Sequence, residues 1–439
     1  MKITKMNNNE NCLDVFIGQE KIAELITSNF QLTWNYTSTW QDHGYPISPH
    51  LPFLQNIDPT NVQIFLRNML PEGRAFDDLI TYFNVSRGNT FALIRILGAD
   101  TAGALILLPA GSSLPESSCF RMITPEELED RLNKREHFNL QIWDGKPRLS
   151  LAGVQDKLNV ILDKYHNLGF GEGKLCSTHI LKFETHKLAH LVLNEFVTML
   201  LAQSCDIDVA KVEMWRFGKN PALLVKRFDR EFKSSDNVIR RQVIDGCQAL
   251  NLPPEYKYER NLGSGRDVAH IKDGASFAKL FKFAEQCNNP ALVKMKIIDW
   301  AFFNLLIFNC DAHGKNISFF INKNGISLSP FYDLVNIKMY DNFNQEMAMA
   351  IGNEFDADNI NAYQIIEFAE TCNTPRSFIG DRLRIMSNKI LENIDFIISS
   401  NKLNADVEEQ EYLDKYQNLV INRCKYFLGK INDIKTLSI

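Results

Sequence analysis

Residues 13–18 (LDVFIG) and 22–34 (IAELITSNFQLTW) are apolar-rich runs with two-residue spacing in places, as at Leu13, Val15 and Ile17. They read as strands, and the polar turn between them reads as a hairpin. Pro46-Ile-Ser-Pro-His-Leu-Pro52 is a rigid, non-helical linker. The period then lengthens: 61–69, 76–83 and 90–97 carry helical spacing, with Leu70-Pro-Glu-Gly73 as a break. Residues 102–109 (AGALILLP) form an apolar run with the length of a buried strand. These elements predict a small α+β subdomain over 1–110, followed by a Gly, Ser and Pro linker at 109–116.

Thr124 opens a predicted helix over 124–135 as its N-cap, with Pro125 in the first position and Glu126 and Glu127 in the first turn. Strands are expected at 158–162 and 179–184, then a long helix at 189–203. Two short strands, 212–217 and 222–228, flank Gly218-Lys-Asn-Pro221. Beyond Arg241 helical patterns dominate: 241–250, 276–287, 291–308, 360–371, 376–396 and 407–428. The expected fold class is α+β and bilobal. Residues 111–230 would complete a strand-rich N-terminal lobe, and 231–439 would form a larger helical lobe.

Composition narrows the function without naming it. The chain has 439 residues, 45% of them hydrophobic and 23% charged, which is globular and long enough for two or three domains. A net charge of −5 argues against non-specific nucleic-acid binding by the chain as a whole. Its nine cysteines are odd in number and scattered, and contain no C-x-x-C pair, so buried thiols in a reducing cytosol are expected rather than disulfides or zinc. The first residues lack the apolar core of a signal peptide. The most apolar run, 297–310, is too short to span a bilayer, so a soluble intracellular protein is expected.

The chemistry centres on Asn309-Cys-Asp311-Ala-His313-Gly-Lys315-Asn316, where a predicted helix opens into a loop, and on Pro330-Phe-Tyr-Asp333, on a strand-like segment. Phosphoryl transfer needs a carboxylate for the attacking hydroxyl's proton, plus an Asn and an Asp to hold Mg²⁺ against ATP. Asp311 and Asn316 have the five-residue spacing of the protein-kinase catalytic loop, and Asp333 is the candidate second metal ligand. Such a pair also arises by chance among loop residues. Upstream lie further candidates in kinase order. The turn around Ser150, Ala152 and Gly153 could admit phosphates to backbone N–H groups or be an ordinary hairpin. Lys182, on a strand, could meet the ATP phosphates or simply protect an edge. Glu195 could pair with Lys182 or be a solvated helix carboxylate. Residues 226–230 are the candidate hinge.

With these motifs the sequence resembles HipA-type serine/threonine kinases, the toxin halves of bacterial toxin–antitoxin pairs. The matching pieces include Leu70-Pro-Glu-Gly73, Ser150-Leu-Ala-Gly-Val-Gln-Asp-Lys157, Asn194-Glu195, Lys226-Arg-Phe-Asp-Arg230, Gln248-Ala-Leu, Lys257-Tyr-Glu259, Asp311-Ala-His-Gly-Lys-Asn316 and Tyr332-Asp-Leu334. The resemblance implies ATP and Mg²⁺, with Asp311 as base, Asn316 and Asp333 as metal ligands, and Lys182 on the phosphates. It also implies a phosphate loop spanning Ser150, Ala152, Gly153, Val154, Gln155 and Lys157, hinge residues Lys226 and Phe228, and Gln248 near the nucleotide. His313 and Lys315 would support the loop or the transferred phosphate. It further implies autophosphorylation of Ser150, a protein target in the translation machinery such as an aminoacyl-tRNA synthetase, and a helix-turn-helix, HipB-like antitoxin through which DNA would be met. Two positions depart from the family pattern: Lys226 stands where an acidic residue is expected, and Asp156 where a Glu is. A catalytically silent binding protein and a small-molecule kinase are the alternatives, since fold alone does not fix the acceptor.

Overall fold

The computed structural model describes residues 10–29, 31–135, 140–148, 155–185 and 188–437. The chain opens with strands β1 (Cys12–Ile17), β2 (Glu20–Ser28) and β3 (Gln31–Tyr36), then helices α1 (Ser38–His43), α2 (Pro59–Asn68), α3 (Gly73–Tyr82) and α4 (Thr90–Leu97), and closes its first unit with β4 (Leu105–Pro109). Among the described residues these strands form an antiparallel sheet in the order β3-β2-β1-β4. The run expected as one strand over 22–34 is two, because the chain reverses at Asn29, whose φ of 48° is left-handed. Along β3 the alternation is complete, with Leu32, Trp34 and Tyr36 facing the core.

The second sheet is built from β5 (Cys119–Met122), β8 (Lys157–Leu162), β9 (Leu168–Glu172), β10 (His179–Phe183), β11 (Val212–Phe217) and β12 (Asn220–Lys226). Their order is β11-β12-β10-β8-β9-β5 among the described residues. Helices α5 (Pro125–Asn133) and α6 (Leu191–Ser204) and the short pair β6 (Ile142–Trp143) and β7 (Lys146–Pro147) accompany them. Every residue of β8 is buried, as a central strand covered on both faces requires.

The rest is largely helical: α7 (Gly246–Ala249), α8 (Phe277–Ala284), α9 (Pro290–Leu306), α10 (Ala362–Thr371), α11 (Arg376–Lys402), α12 (Val407–Leu428) and α13 (Ile431–Thr436). Helix α9 is apolar nearly all round and is buried accordingly from Ile297 to Leu306, Asp299 being the partly exposed exception. Asp299 is paired with Arg382 of α11. Three hairpin-like additions escape the helical expectation: β13 (Arg230–Ser234) with β14 (Asn237–Arg240), β15 (Val243–Asp245) with β16 (Ser318–Asn322) and β17 (Gly325–Leu328), and β18 (Glu346–Ile351) with β19 (Glu354–Asp356).

Two expectations are corrected here. The helix predicted over 241–250 is a strand, β15, followed by the single turn α7. Asp245 and Gln248 close a capping box that starts the helix only at Gly246. Asp333 is not on a strand; Phe331 makes an isolated bridge with Val209, and Asp333 itself has a φ of 61°. Among the described residues no helix is long and apolar enough to cross a membrane.

Candidate active site

Helix α9 ends at Leu306, and the chain turns out of it through Phe308, a non-glycine residue at φ 55°. Such a conformation is uncommon for a bulky residue and has to be held by its surroundings. Here the Phe308 carbonyl accepts the Ile337 N–H at 3.0 Å. The loop that follows is braced internally. Asn309 Nδ2 donates to Asn304 Oδ1 at 2.9 Å, and Asn316 Nδ2 donates to the Asp311 carbonyl at 2.9 Å. With the Asn316 amide nitrogen engaged by the backbone, its side-chain oxygen is the atom that a ligand role would use.

His313 is buried and caps the turn Gly314–Asn316, its Nδ1 accepting the Lys315 N–H at 3.3 Å. Burial pushes its pKa down, which keeps the ring neutral. Lys315 is buried at the cleft wall, and its ammonium is fully engaged by neighbours. Its ammonium donates to the Asn68 carbonyl at 2.9 Å, to Asn68 Oδ1 at 3.1 Å and to Asp245 Oδ2 at 2.6 Å. It therefore ties the loop to α2 and α7. The loop also needs a glycine opposite it: a Cβ on Gly246 would collide with the Gly314 carbonyl.

Lys182 comes from β10. Leu181 and Phe183 point into the sheet core, so alternation sends Lys182 to the other face. Its ammonium lies 2.6 Å from Glu195 Oε1 on α6 and 2.7 Å from Asp333 Oδ1. Burial works against the charge on Lys182; the charges of Asp333 and Glu195 outweigh it and hold its pKa above the ordinary value. Burial likewise pushes Glu195 upward, with Lys182 opposing. Burial acts on Asp333 too, but Lys182 outweighs it and brings that carboxyl down to about 2. Lys157 stands directly across from Lys182 in the β8–β10 register. Burial, and then the charge of Lys182, push Lys157 down to about 8.

Asp311, Asn316, Asp333, Lys157, Lys182, His313 and Lys315 line one cleft of about 1110 Å³. Gln155, also on its wall, donates to the Phe183 carbonyl at 2.9 Å. A smaller cavity of about 160 Å³ adjoins it, sharing Lys182 and Asp333 and walled by Val225, Lys226, Phe228 and Gln248. The Phe228 ring lies 5.7 Å from that of Tyr332. The Lys226 and Arg227 N–H groups are occupied by the Lys211 and Thr178 carbonyls, so neither is a donor for a bound base in this arrangement. Gln248 lines the cavity, while its amide donates to the Phe65 carbonyl and its oxygen accepts in the capping box. Ser150, Ala152, Gly153 and Val154 lie outside the described residues.

Sequence reasoning missed three groups. Glu72 at the start of α3 reaches into the cleft and pairs with Lys257 at 2.6 Å. Tyr258 donates its hydroxyl to Asp311 Oδ1 at 2.5 Å. Arg227, Asp229 and Arg230 form a buried clamp on the N-terminal subdomain. Arg227 and Arg230 donate to the Thr101 carbonyl, and Asp229 accepts the Gly103 N–H at 2.8 Å. Each belongs to a motif visible in the sequence, but a motif does not tell which partner its side chain will find.

The donor set fits a magnesium-nucleotide. Asn316 and Asp333 offer oxygen only, the preference of a hard cation that keeps waters and uses phosphate ligands. Asp333 is a charged carboxylate with a side chain 36% exposed, so it is open to the cleft rather than sealed in. Asp311, Asn316 and Asp333 therefore share a cleft with Lys182, which is the arrangement phosphoryl transfer requires.

The HipA N-terminal domain family matches residues 13–108, and the HipA-like C-terminal domain family matches 149–394. The serine/threonine-protein kinase toxin HipA of Shewanella oneidensis is 42% identical over 431 residues, covering 97% of this chain and 98% of that protein. The Sinorhizobium fredii protein Y4mE is 33% identical over 346 residues, covering 74% of this chain and 77% of its own length. A solved Shewanella oneidensis complex of HipA, HipB and operator DNA contains a chain that superposes with a TM-score of 0.89 at 41% identity, covering 97% of this chain and 100% of that one. With both domain families matched in order and a relative aligned along nearly its whole length, the chain belongs to the HipA family of serine/threonine-protein kinase toxins.

Proposed function

We propose that this kinase transfers the γ-phosphate of ATP to a seryl or threonyl hydroxyl of a protein in the translation machinery, such as an aminoacyl-tRNA synthetase, and so arrests growth. The observation that carries the reading is that Lys182, held by Glu195 at 2.6 Å, meets Asp333 at 2.7 Å in the cleft that also holds Asp311. Asp311 would accept the proton as the acceptor oxygen attacks phosphorus and the bond to ADP breaks. Lys182, held by Glu195, would orient the α- and β-phosphates. Asn316 and Asp333 would hold Mg²⁺, which supplies charge neutralisation for the phosphates when bound. The smaller cavity beside Phe228 and Gln248 suits a flat base, with Lys226 and Phe228 at its edge.

The same reading divides the chain at about 110 and 230 into an N-terminal subdomain, the rest of the strand-rich lobe and the helical lobe. It makes Ser150 an autophosphorylation site that switches the kinase off: a phosphate bearing about two negative charges competes with those of ATP. It gives the chain a HipB-like helix-turn-helix antitoxin, DNA contact through that partner alone, and a cytoplasmic place of work in a bacterium. Purified protein incubated with labelled ATP and Mg²⁺ tests the core of it. Label should enter Ser150 and a protein acceptor, and Asp311→Asn should lower transfer by roughly 10²–10⁴-fold, the usual contribution of a general base. Undiminished labelling by Asp311→Asn refutes the choice of base.

A further inference from the structure

Asp311 leaves α9 with its backbone fixed on both sides. Its N–H is held by Asn309 Oδ1 at 3.3 Å, and its carbonyl accepts both Asn316 Nδ2 at 2.9 Å and the His313 N–H at 2.8 Å. Its carboxylate is another matter. Among the described residues its one hydrogen-bond partner is the Tyr258 hydroxyl, 2.5 Å from Oδ1.

Tyr258 is itself held still. Its ring meets that of His313 edge-on, with centroids 5.1 Å apart and planes at 87°. Before it, the Lys257 carbonyl accepts the Gly314 N–H at 2.9 Å, and the Lys257 ammonium reaches Glu72 at 2.6 Å. After it, the Glu259 N–H donates to the Ala348 carbonyl at 2.9 Å. The backbone on either side of Tyr258 is thus pinned, and its phenol meets one oxygen of the base.

We propose that Tyr258 is a positioning residue for the transfer step: by engaging Oδ1 it fixes the rotation of the Asp311 carboxylate and turns Oδ2 toward the acceptor hydroxyl. The terminal torsion of an aspartate is broad, so without a partner the carboxylate samples many orientations. Misplacing a reacting group by about 1 Å can cost ~10²-fold in rate. A phenol that merely fills the acceptor's place would make the same contact, so the rate of a Tyr258→Phe chain separates the two roles. The inference rests on Asp311 being the base.

The test uses the full chain with labelled ATP, Mg²⁺ and casein as a serine-rich acceptor. Four proteins are compared: wild type, Asp311→Asn, Tyr258→Phe, and the chain carrying 3-fluorotyrosine at 258, which keeps a donor. Tyr258→Phe should lower kcat by about 10- to 100-fold, less than Asp311→Asn, while the KM for ATP and the melting temperature stay at the wild-type values. The fluorotyrosine chain should recover most of the rate. A Tyr258→Phe chain that is as fast as wild type, or faster, overturns the inference, the faster one showing that the phenol blocks the acceptor. A loss shared between kcat and ATP affinity overturns it as well, by making the residue merely structural. If Asp311→Asn transfers phosphate normally, the base assignment falls and this inference with it; if only Tyr258→Phe is silent, the assignment stands alone.

Discussion

Removing Asp229 should do more damage than any nearby surface change. Its carboxylate accepts from Arg227 Nε at 3.0 Å, Arg227 Nη2 at 2.8 Å, Arg230 Nη1 at 2.6 Å and the Gly103 N–H at 2.8 Å. The side chains of Arg227 and Arg230 are 2% and 0% exposed. Burial opposes ionisation of Asp229, but the two guanidinium groups outweigh it and hold its pKa well below the carboxylate range. Asp229→Ala leaves both cations buried, with Asp100 the one remaining carboxylate within 4 Å of them among the described residues, Arg227 at 3.9 Å and Arg230 at 3.3 Å. Breaking a buried pair by removing one partner typically destabilises by about 3–5 kcal/mol. The control is Arg241→Ala, which removes an ion pair with Glu231 whose side chains are more than half exposed; such pairs contribute roughly 0–1 kcal/mol. Urea unfolding followed by tryptophan fluorescence should show a much lower midpoint for Asp229→Ala than for Arg241→Ala. Equal midpoints would refute the idea that this clamp is dry and that it carries the docking of the N-terminal subdomain.

Lys182→Met should abolish phosphate transfer and destabilise the fold by leaving Glu195 buried without its cation, whereas Lys182→Met with Glu195→Leu should regain part of the stability, Asp333 still lacking its partner, without regaining activity, since apolar replacement of a buried pair is often neutral; thermal melting beside the labelling assay reads both. Gly246→Ala should press on the Gly314 carbonyl and cost about 1–3 kcal/mol by overpacking, with a fall in kcat as the catalytic loop shifts. Burial, and then the charge of Lys226, lower the His179 pKa from 6.5 to about 4. Between those values the unfolded chain binds the extra proton, so this residue's contribution is present above pH 6.5 and lost as pH falls toward 4, by at most about 3 kcal/mol. His179→Asn should flatten that slope in denaturation measured from pH 5 to 7; an unchanged slope would show that His179 does not report the burial seen here.

The sequence was most legible where one interaction decides the outcome. Helix α4 runs from Thr90 to Leu97, as its apolar spacing predicts, and Thr124 caps α5 with its side chain on the Glu127 N–H. Lys182 and Glu195 were legible as a candidate pair because strand then helix is a short-range pattern. What failed to show depends on distant partners. Residues 241–250 have helical spacing, yet β15 pairs with β16, more than 70 residues downstream, and that pairing overrides local preference. Asp333 reads as a strand residue because its neighbours are apolar, but its backbone is left-handed beside the Lys182 ammonium. The Arg227, Asp229 and Arg230 cluster looks like a charged strand end, and only the approach of Thr101 and Gly103 makes it an interior feature.

The lysine at 315 sets a limit on how this chain can be taken apart. Its side chain is 3% exposed, and two of its three close contacts are supplied by Asn68, the last residue of α2. Deleting the N-terminal subdomain would leave the buried ammonium with Asp245 but without either Asn68 contact, so the catalytic loop would lose its tie to α2 and a trimmed kinase lobe should lose activity even with every chemical group intact. By the same logic, grafting the first 110 residues from a cousin would work only where the donor brings an equivalent of Asn68, and lineages exchanging these halves would have to inherit that contact as a matched set.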